Sequence, residues 1–145
     1  MLGTLAKWLR FLGYDTAYPG PLDDTALLEQ AKKEGRVLLT RDRQLAGRTS
    51  GGLGIRSDQL EEQLEEVRRA FRITAQDALS RCSVCNAEIT RLPPEEAKGK
   101  VPDAVLARHT EFWRCPDCGR VYWKGSHFEA LQRQIASWTK EGARP

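Results

Sequence analysis

Arg36-Val37-Leu38-Leu39-Thr40-Arg41-Asp42 is an apolar run that ends abruptly in a charged tip, and its reading decides the fold. Val37 to Leu39 reads as a short strand buried on both faces, as strands of parallel sheets are. In open α/β sheets ligands bind just beyond the carboxyl ends of such strands, so Asp42 stands where chemistry is expected.

Upstream, Asp23 or Asp24 can cap a helix that runs through Glu34, with Leu27, Leu28 and Ala31 on its apolar face and Gly35 as its stop. Further forward, Leu2, Leu5, Ala6, Leu9 and Leu12 recur at helical spacing up to Gly13, and Thr16-Ala17-Tyr18 reads as a short strand. Downstream of Asp42 come a helical turn to about Arg48, a break at Gly51, Gly52 and Gly54, and a strand from Leu53 to Ile55. A long helix follows, capped by Ser57 or Asp58, with Leu60, Leu64, Val67 and Phe71 facing inward. This alternation predicts an α/β fold, a mostly parallel sheet with helices on both faces. The first helix has no strand before it to cross over from, so the expectation is a sheet without its central strand or a sequence that has lost its beginning.

Composition narrows the class. The 145 residues are 40% hydrophobic and 30% charged, as in a soluble globular protein, which excludes wholesale disorder. No apolar run approaches the roughly 20 residues of a membrane span, and the N-terminus is not patterned as an export signal, so no membrane partner and a cytoplasmic protein are expected. Residues 1–80 carry twelve Lys/Arg and twelve Asp/Glu, whereas residues 81–145 carry eleven and eight. The net charge of +3 therefore lies entirely in the second part and tilts the expected partner toward phosphate. With a connector at 73–81 and a change to Cys, Pro, aromatic and basic residues after it, two domains are expected, 1–80 and 81–145. The second ends in an amphipathic helix marked by Phe128, Leu131, Ile135 and Trp138, with a frayed tail from Gly142 to Pro145.

Cys82-Ser83-Val84-Cys85 and Cys115-Pro116-Asp117-Cys118 are two C-x-x-C knuckles separated by an insertion from Pro93-Pro94 through Pro102. Four thiolates on two short loops suit tetrahedral Zn²⁺ and leave no open position for a reactive water, so a structural zinc ribbon with Cys82, Cys85, Cys115 and Cys118 as ligands is expected. Redox cysteines are the alternative. Four thiolates and one Zn²⁺ carry a net charge of about −2, which offsets most of the basic excess. Arg81, Arg91, Arg114, Arg120 and Lys124 still make a basic face, interleaved with Trp113, Tyr122 and Trp123. Such residues stack bases and hold phosphates, or else Trp113 and Tyr122 pack a small core and the charges are merely solvated.

Asp24, Asp42 and Asp58 occupy corresponding places, each in a loop after a strand and at the start of a helix. In a parallel sheet such loops gather on one edge, where clustered carboxylates bind Mg²⁺ or Mn²⁺ and the metal activates water against a phosphodiester. The alternative is that each is an N-cap, worth about 1 kcal/mol to its helix. Arg41 and Arg43 flank Asp42 as candidate phosphate ligands. His109 and His127, the only histidines, have no partner at catalytic spacing, and no Gly-rich phosphate loop, nucleophile elbow or Rossmann fingerprint is present.

Met1-Leu2-Gly3-Thr4-Leu5-Ala6-Lys7-Trp8-Leu9-Arg10-Phe11-Leu12-Gly13-Tyr14-Asp15-Thr16, Asp23-Asp24 with Leu27-Leu28, and Leu38-Leu39-Thr40-Arg41-Asp42-Arg43 together resemble the Mut-seven C-terminal RNase family. So do Arg81-Cys82, Cys85-Asn86, Gly99-Lys100-Val101-Pro102, Glu111-Phe112-Trp113-Arg114-Cys115-Pro116 and Cys118 to His127. The resemblance covers nearly the whole chain. It implies a PIN-like nuclease fold followed by a C-terminal zinc ribbon, and metal-dependent RNA cleavage by an acidic cluster. Asp24 and Asp42 match family acidic positions, Asp58 less closely. Family members carry a first strand ending in Asp just before the Met-Leu-Gly, and this chain starts at that Met. The resemblance thus implies a ribonuclease using Asp24, Asp42 and Asp58, and the basic and aromatic residues read above, Arg41, Arg43, Arg114, Arg120, Trp123 and Lys124, are the expected RNA-binding set. The alternative is a catalytically impaired RNA- or ribonucleoprotein-binding module of the same fold, and a third reading is an adaptor whose ribbon docks on another protein.

Overall fold

The computed structural model describes residues 2–74, 77–126, 128–130 and 132–134. It is a mixed α/β structure with one small parallel and one small antiparallel sheet. The chain groups into two compact units, Met1–Ala6 with Ala17–Ile73 and Lys7–Thr16 with Thr74–Pro145.

Helix α1, Gly3–Phe11, begins in the first unit and ends in the second. Leu5, Ala6 and Leu9 recur along it every three or four residues, and with Leu12 just beyond its end they are buried. Gly13 follows with a left-handed backbone, φ +98°. The expected strand at Thr16 to Tyr18 does not form, and Tyr18 is exposed. Side chains rather than a neighbouring strand satisfy this backbone: the Thr16 N–H donates to Asn86 Oδ1 at 2.9 Å, and its carbonyl accepts from Arg10 Nε at 2.8 Å.

In the first unit, α2 spans Asp24–Glu34. Asp23 is its N-cap, accepting from the Ala26 N–H at 2.7 Å, and Gly35 in the left-handed region (φ 66°) closes it. Strand β1 is Leu39–Thr40, later than the expected Val37 to Leu39. Leu38 is buried but Val37 is 50% exposed, so the run is not covered on both faces. Strand β2, Leu53–Gly54, pairs with β1 in parallel, as the alternation predicts, with Leu39 opposite Leu53 and Thr40 opposite Gly54. Between them lies α3, Arg43–Gly47.

Helix α4, Leu60–Phe71, buries Leu64 and Val67, whereas Phe71, in the last turn, is 39% exposed rather than inward-facing. Neither Ser57 nor Asp58 caps it. Gln59 is the N-cap and makes no side-chain cap bond. The approach to α4 is tied down instead by Glu66, whose carboxylate accepts the N–H groups of Arg56 and Ser57 at 2.9 and 3.2 Å. The buried amide of Gln63 donates to the Ser57 carbonyl at 2.9 Å. Glu65 bonds Arg68 and Arg69 on the same helix, and Arg68 in particular holds its carboxyl below the usual range. An open cleft of about 1030 Å³ is lined by Arg43, Gly52, Arg56, Glu61, Glu62 and Arg69 among others.

In the second unit, β3 (Thr90–Leu92), β4 (Phe112–Arg114) and β5 (Val121–Tyr122) form an antiparallel sheet in the order β3-β4-β5. The insertion supplies two short helices, α5 (Pro94–Ala97) and α6 (Asp103–Arg108). It is structural: Leu92, Ala97, Val101 and Phe112 make a core against which Val105, Leu106, Val121 and Trp123 pack. Phe128 is buried; Leu131, Ile135 and Trp138 of the expected last helix, and the tail from Gly142 to Pro145, lie outside the described residues. Among the described residues no helix is long and apolar enough to cross a membrane.

A Cβ on Gly13 would collide with the Asp77 carbonyl oxygen and stand 2.9 Å from Asp77 Cβ, in a backbone region that L residues rarely adopt. Gly13→Ala is expected to cost about 1–3 kcal/mol or more in chemical denaturation. Gly47→Ala, at a helical position with open space around the new Cβ, is expected to be neutral or stabilising by up to about 1 kcal/mol.

Candidate functional site

The two C-x-x-C loops share one backbone geometry. The N–H of Cys82 donates to the Ala87 carbonyl and that of Cys115 to the Arg120 carbonyl, both at 2.9 Å. The carbonyls of the same two cysteines accept from the N–H groups of Asn86 and Gly119, again at 2.9 Å. Asn86 and Gly119 are both left-handed, with φ 66° and 78°. Glycine adopts that region freely, and asparagine is among the few other residues that tolerate it.

These loops bring Cys82, Cys85, Cys115 and Cys118 together, with all four sulfurs within 4.8 Å of one another. None is in a disulfide. A tetrahedral zinc with Zn–S bonds of about 2.3 Å requires S···S edges of about 3.8 Å, and Cys82 Sγ and Cys118 Sγ are 3.8 Å apart. The four cysteines can therefore hold a zinc ion, and the donor set suits it.

Protonation of the metal-free thiols is uneven. Burial pushes Cys82 up, but the Tyr122 hydroxyl and the N–H groups of Cys85 and Val84 outweigh it and bring the thiol down to about 7. Cys85 is pushed up to about 12, first by its bond with the Cys118 thiol, and burial raises Cys115. Cys82 therefore ionises more readily than Cys85 or Cys115, and because thiolates are the metal-binding form, metal binding would release protons.

Tyr122 escaped the sequence reading, in which it was a stacking or core residue. Its hydroxyl lies 3.0 Å from Cys82 Sγ and accepts the Ser83 N–H at 3.1 Å, and burial first, then Cys82, lifts it to about 12. Asn86 was also missed. Its amide bridges to Asp15 Oδ1 (2.7 Å) and the Thr16 N–H, while Arg10 Nη1 donates to the carbonyls of Ser83 and Val84 at 3.0 and 3.1 Å. Only the Asn in the position after the second cysteine, where Gly119 stands in the other loop, hinted at this in the sequence.

The aspartates are placed differently. Asp42 is the N-cap of α3, its Oδ1 accepting the N–H groups of Gln44 and Leu45 at 3.0 and 3.1 Å. Asp24 is the first residue of α2, one place after the cap, and Asp58 lies in the loop before α4. All three are exposed. Among the described residues the four cysteines are the only cluster of three or more His, Cys, Asp or Glu side chains close enough to share a metal, so the three aspartates are not gathered into a second one.

Arg41 and Arg43 are exposed beside Asp42, with Arg41 Nη2 reaching the Arg56 carbonyl at 3.4 Å. In the second unit Arg114, Arg120 and Lys124 are exposed, but Trp123 packs against the core. Trp113, not Trp123, carries cations on its ring: the Arg91 guanidinium carbon is 5.3 Å and Lys124 Nζ 5.7 Å from its centroid. Neither Trp113 nor Tyr122 fills the core; Phe112 does. His109 ends α6 and His127 lies outside the described residues.

A protein-family model described as the Mut7-C RNAse domain matches residues 1–135. No curated protein and no solved structure matched the chain.

Two substitutions probe the metal centre. Tyr122→Phe removes a donor to the Cys82 sulfur; one zinc per chain should remain, with affinity lower by about 10- to 100-fold in chelator competition and acid-driven zinc release shifted to higher pH. Asn86→Gly keeps the left-handed turn but deletes the bridge to Asp15 and Thr16. It should leave zinc stoichiometry unchanged while lowering unfolding stability by about 1–2 kcal/mol.

Proposed function

The chain belongs to the Mut7-C RNAse domain family, and from that membership we propose that it is a metal-dependent ribonuclease that hydrolyses RNA phosphodiesters. The family match over 135 residues is the observation that carries this reading. In it, residues 1–80 are a PIN-like nuclease domain and residues 81–145 a zinc ribbon. Asp24, Asp42 and Asp58 are the carboxylates offered to Mg²⁺ or Mn²⁺, and the Zn(Cys)₄ centre is structural because its four ligands leave no site for water. Arg41, Arg43, Arg114, Arg120 and Lys124 hold phosphates, with Trp123 at their edge. The cytoplasm, which keeps thiols reduced and free for zinc, is the proposed location.

One observation favours a second reading, a catalytically impaired RNA- or ribonucleoprotein-binding module. Asp24 and Asp42 stand at the starts of two different helices and Asp58 in the loop before a third, and Asp42 already accepts two backbone N–H groups. Three carboxylates so disposed do not by themselves make the compact oxygen cage that Mg²⁺ requires.

Asp42→Asn separates the readings, because Asn caps a helix as well as Asp does and leaves the fold intact. The ribonuclease reading expects cleavage of single-stranded RNA that needs added Mg²⁺ or Mn²⁺, stops with chelator, and falls at least about 100-fold in Asp42→Asn. Salt-dependent RNA binding without turnover, unchanged in Asp42→Asn, is the outcome expected of the binding module. Cleavage that persists in chelator with zinc still bound is the result that overturns metal dependence.

A further inference from the structure

We propose that the outer face of the β3-β4-β5 sheet is a stacking site for an unpaired RNA base, built on Trp113 and flanked by Arg91 and Lys124. The proposal rests on the RNA reading above and deepens it, by naming single-stranded RNA as the ligand and a face of the ribbon as its seat.

Register creates this face. Arg91 lies opposite Trp113 and Trp113 opposite Tyr122 across the three strands, while the neighbouring pair, Leu92 and Phe112, points the other way into the core. Alternation therefore gives the sheet one apolar face and one that carries an aromatic row with cations. The cations are available, with the side chains of Arg91 and Lys124 63% and 49% exposed. Both lie over the Trp113 ring, and Lys124 Nζ is also 5.6 Å from the Phe128 centroid.

The chemistry matches an unpaired nucleotide. An indole offers its π-face to any base, an adjacent guanidinium adds a second planar surface, and the two cations meet the phosphates on either side. A base inside a duplex has both faces covered by its neighbours and cannot use such a platform. Protein interfaces are depleted in Lys and Glu, and here exposed Lys124 and Glu111 stand beside Trp113.

Glu111 faces both cations of the site. Its Oε2 is 3.9 Å from Arg91 Nη1 and 3.7 Å from Lys124 Nζ, close enough to attract both cations but outside direct hydrogen-bond range. It occupies the place a phosphate would take between them and competes with it. A platform for RNA thus predicts that removing this carboxylate tightens binding, whereas a purely structural ion-pair cluster predicts no such gain.

The full zinc-loaded chain is titrated with a fluorescent single-stranded oligoadenylate and with an abasic oligomer of the same length. Wild type should bind the oligoadenylate about tenfold more tightly than the abasic chain. Trp113→Ala should lose that difference and Trp113→Phe should keep most of it. Arg91→Gln should weaken binding about threefold, and Glu111→Gln should tighten it by a similar factor. Unchanged discrimination in Trp113→Ala, or equal or weaker binding in Glu111→Gln, overturns the platform while leaving the RNA reading standing. Absence of RNA binding by the wild-type chain at low salt overturns both. If Trp113→Ala loses its zinc, the opposite signs expected for Arg91→Gln and Glu111→Gln decide the matter.

Discussion

Four cysteine sulfurs must come within 4.8 Å of one another although the first and last are 36 positions apart, and the second unit is arranged around that requirement. Closing such a loop costs chain entropy, and the site raises the proton affinity of two of its thiols, Cys85 through its bond with Cys118 and Cys115 through burial. A zinc ion held there would reverse both effects, because apparent binding energies of about 10–16 kcal/mol for structural sites are large against the stability of a small domain. The backbone prepares for the ion by using the same hydrogen-bonded turn twice. The first turn is further held from outside by Arg10, Asp15 and Thr16, so the end of α1 and the first zinc loop order each other.

In the first unit the governing interactions are weaker and more local. A two-residue parallel pairing and a set of caps place Asp42 at the start of α3. An N-cap carboxylate is stabilised by the backbone donors it accepts and by the positive end of the helix. The same interactions lower its need for a cation, so capping and metal ligation draw on one carboxylate. In this structure the cap is made, and the neighbouring acids are not assembled around it.

The antiparallel sheet shows how a single alternation allocates chemistry. Phe-Trp-Arg on β4 sends Phe112 into a core completed by the insertion helices and leaves Trp113 on the opposite side among cations. The aromatic residues of the ribbon thus divide three ways: Phe112 and Trp123 serve packing, Tyr122 serves the metal centre, and Trp113 is left facing charge.

What was legible from the residues was what obeys short-range rules. The C-x-x-C spacing marked the four cysteines that can hold a zinc ion, because two thiolates on one tight loop are already near each other. A cap at Asp23 or Asp24, of which the structure uses Asp23, and Gly35 and Gly13 as stops followed from local backbone chemistry, and α1, α2 and the parallel pairing followed from periodicity. Strand limits were less legible, since Thr16 to Tyr18 had strand character but found its hydrogen bonds in side chains 70 positions away and within α1. Tertiary structure alone decided that Tyr122 serves Cys82, that Asn86 bridges to Asp15, that Trp113 rather than Trp123 faces the cations, and that the three aspartates form no metal-holding cluster among the described residues. Each depends on cross-strand register or on contacts between distant segments, and residue spacing carries no information about which distant groups meet.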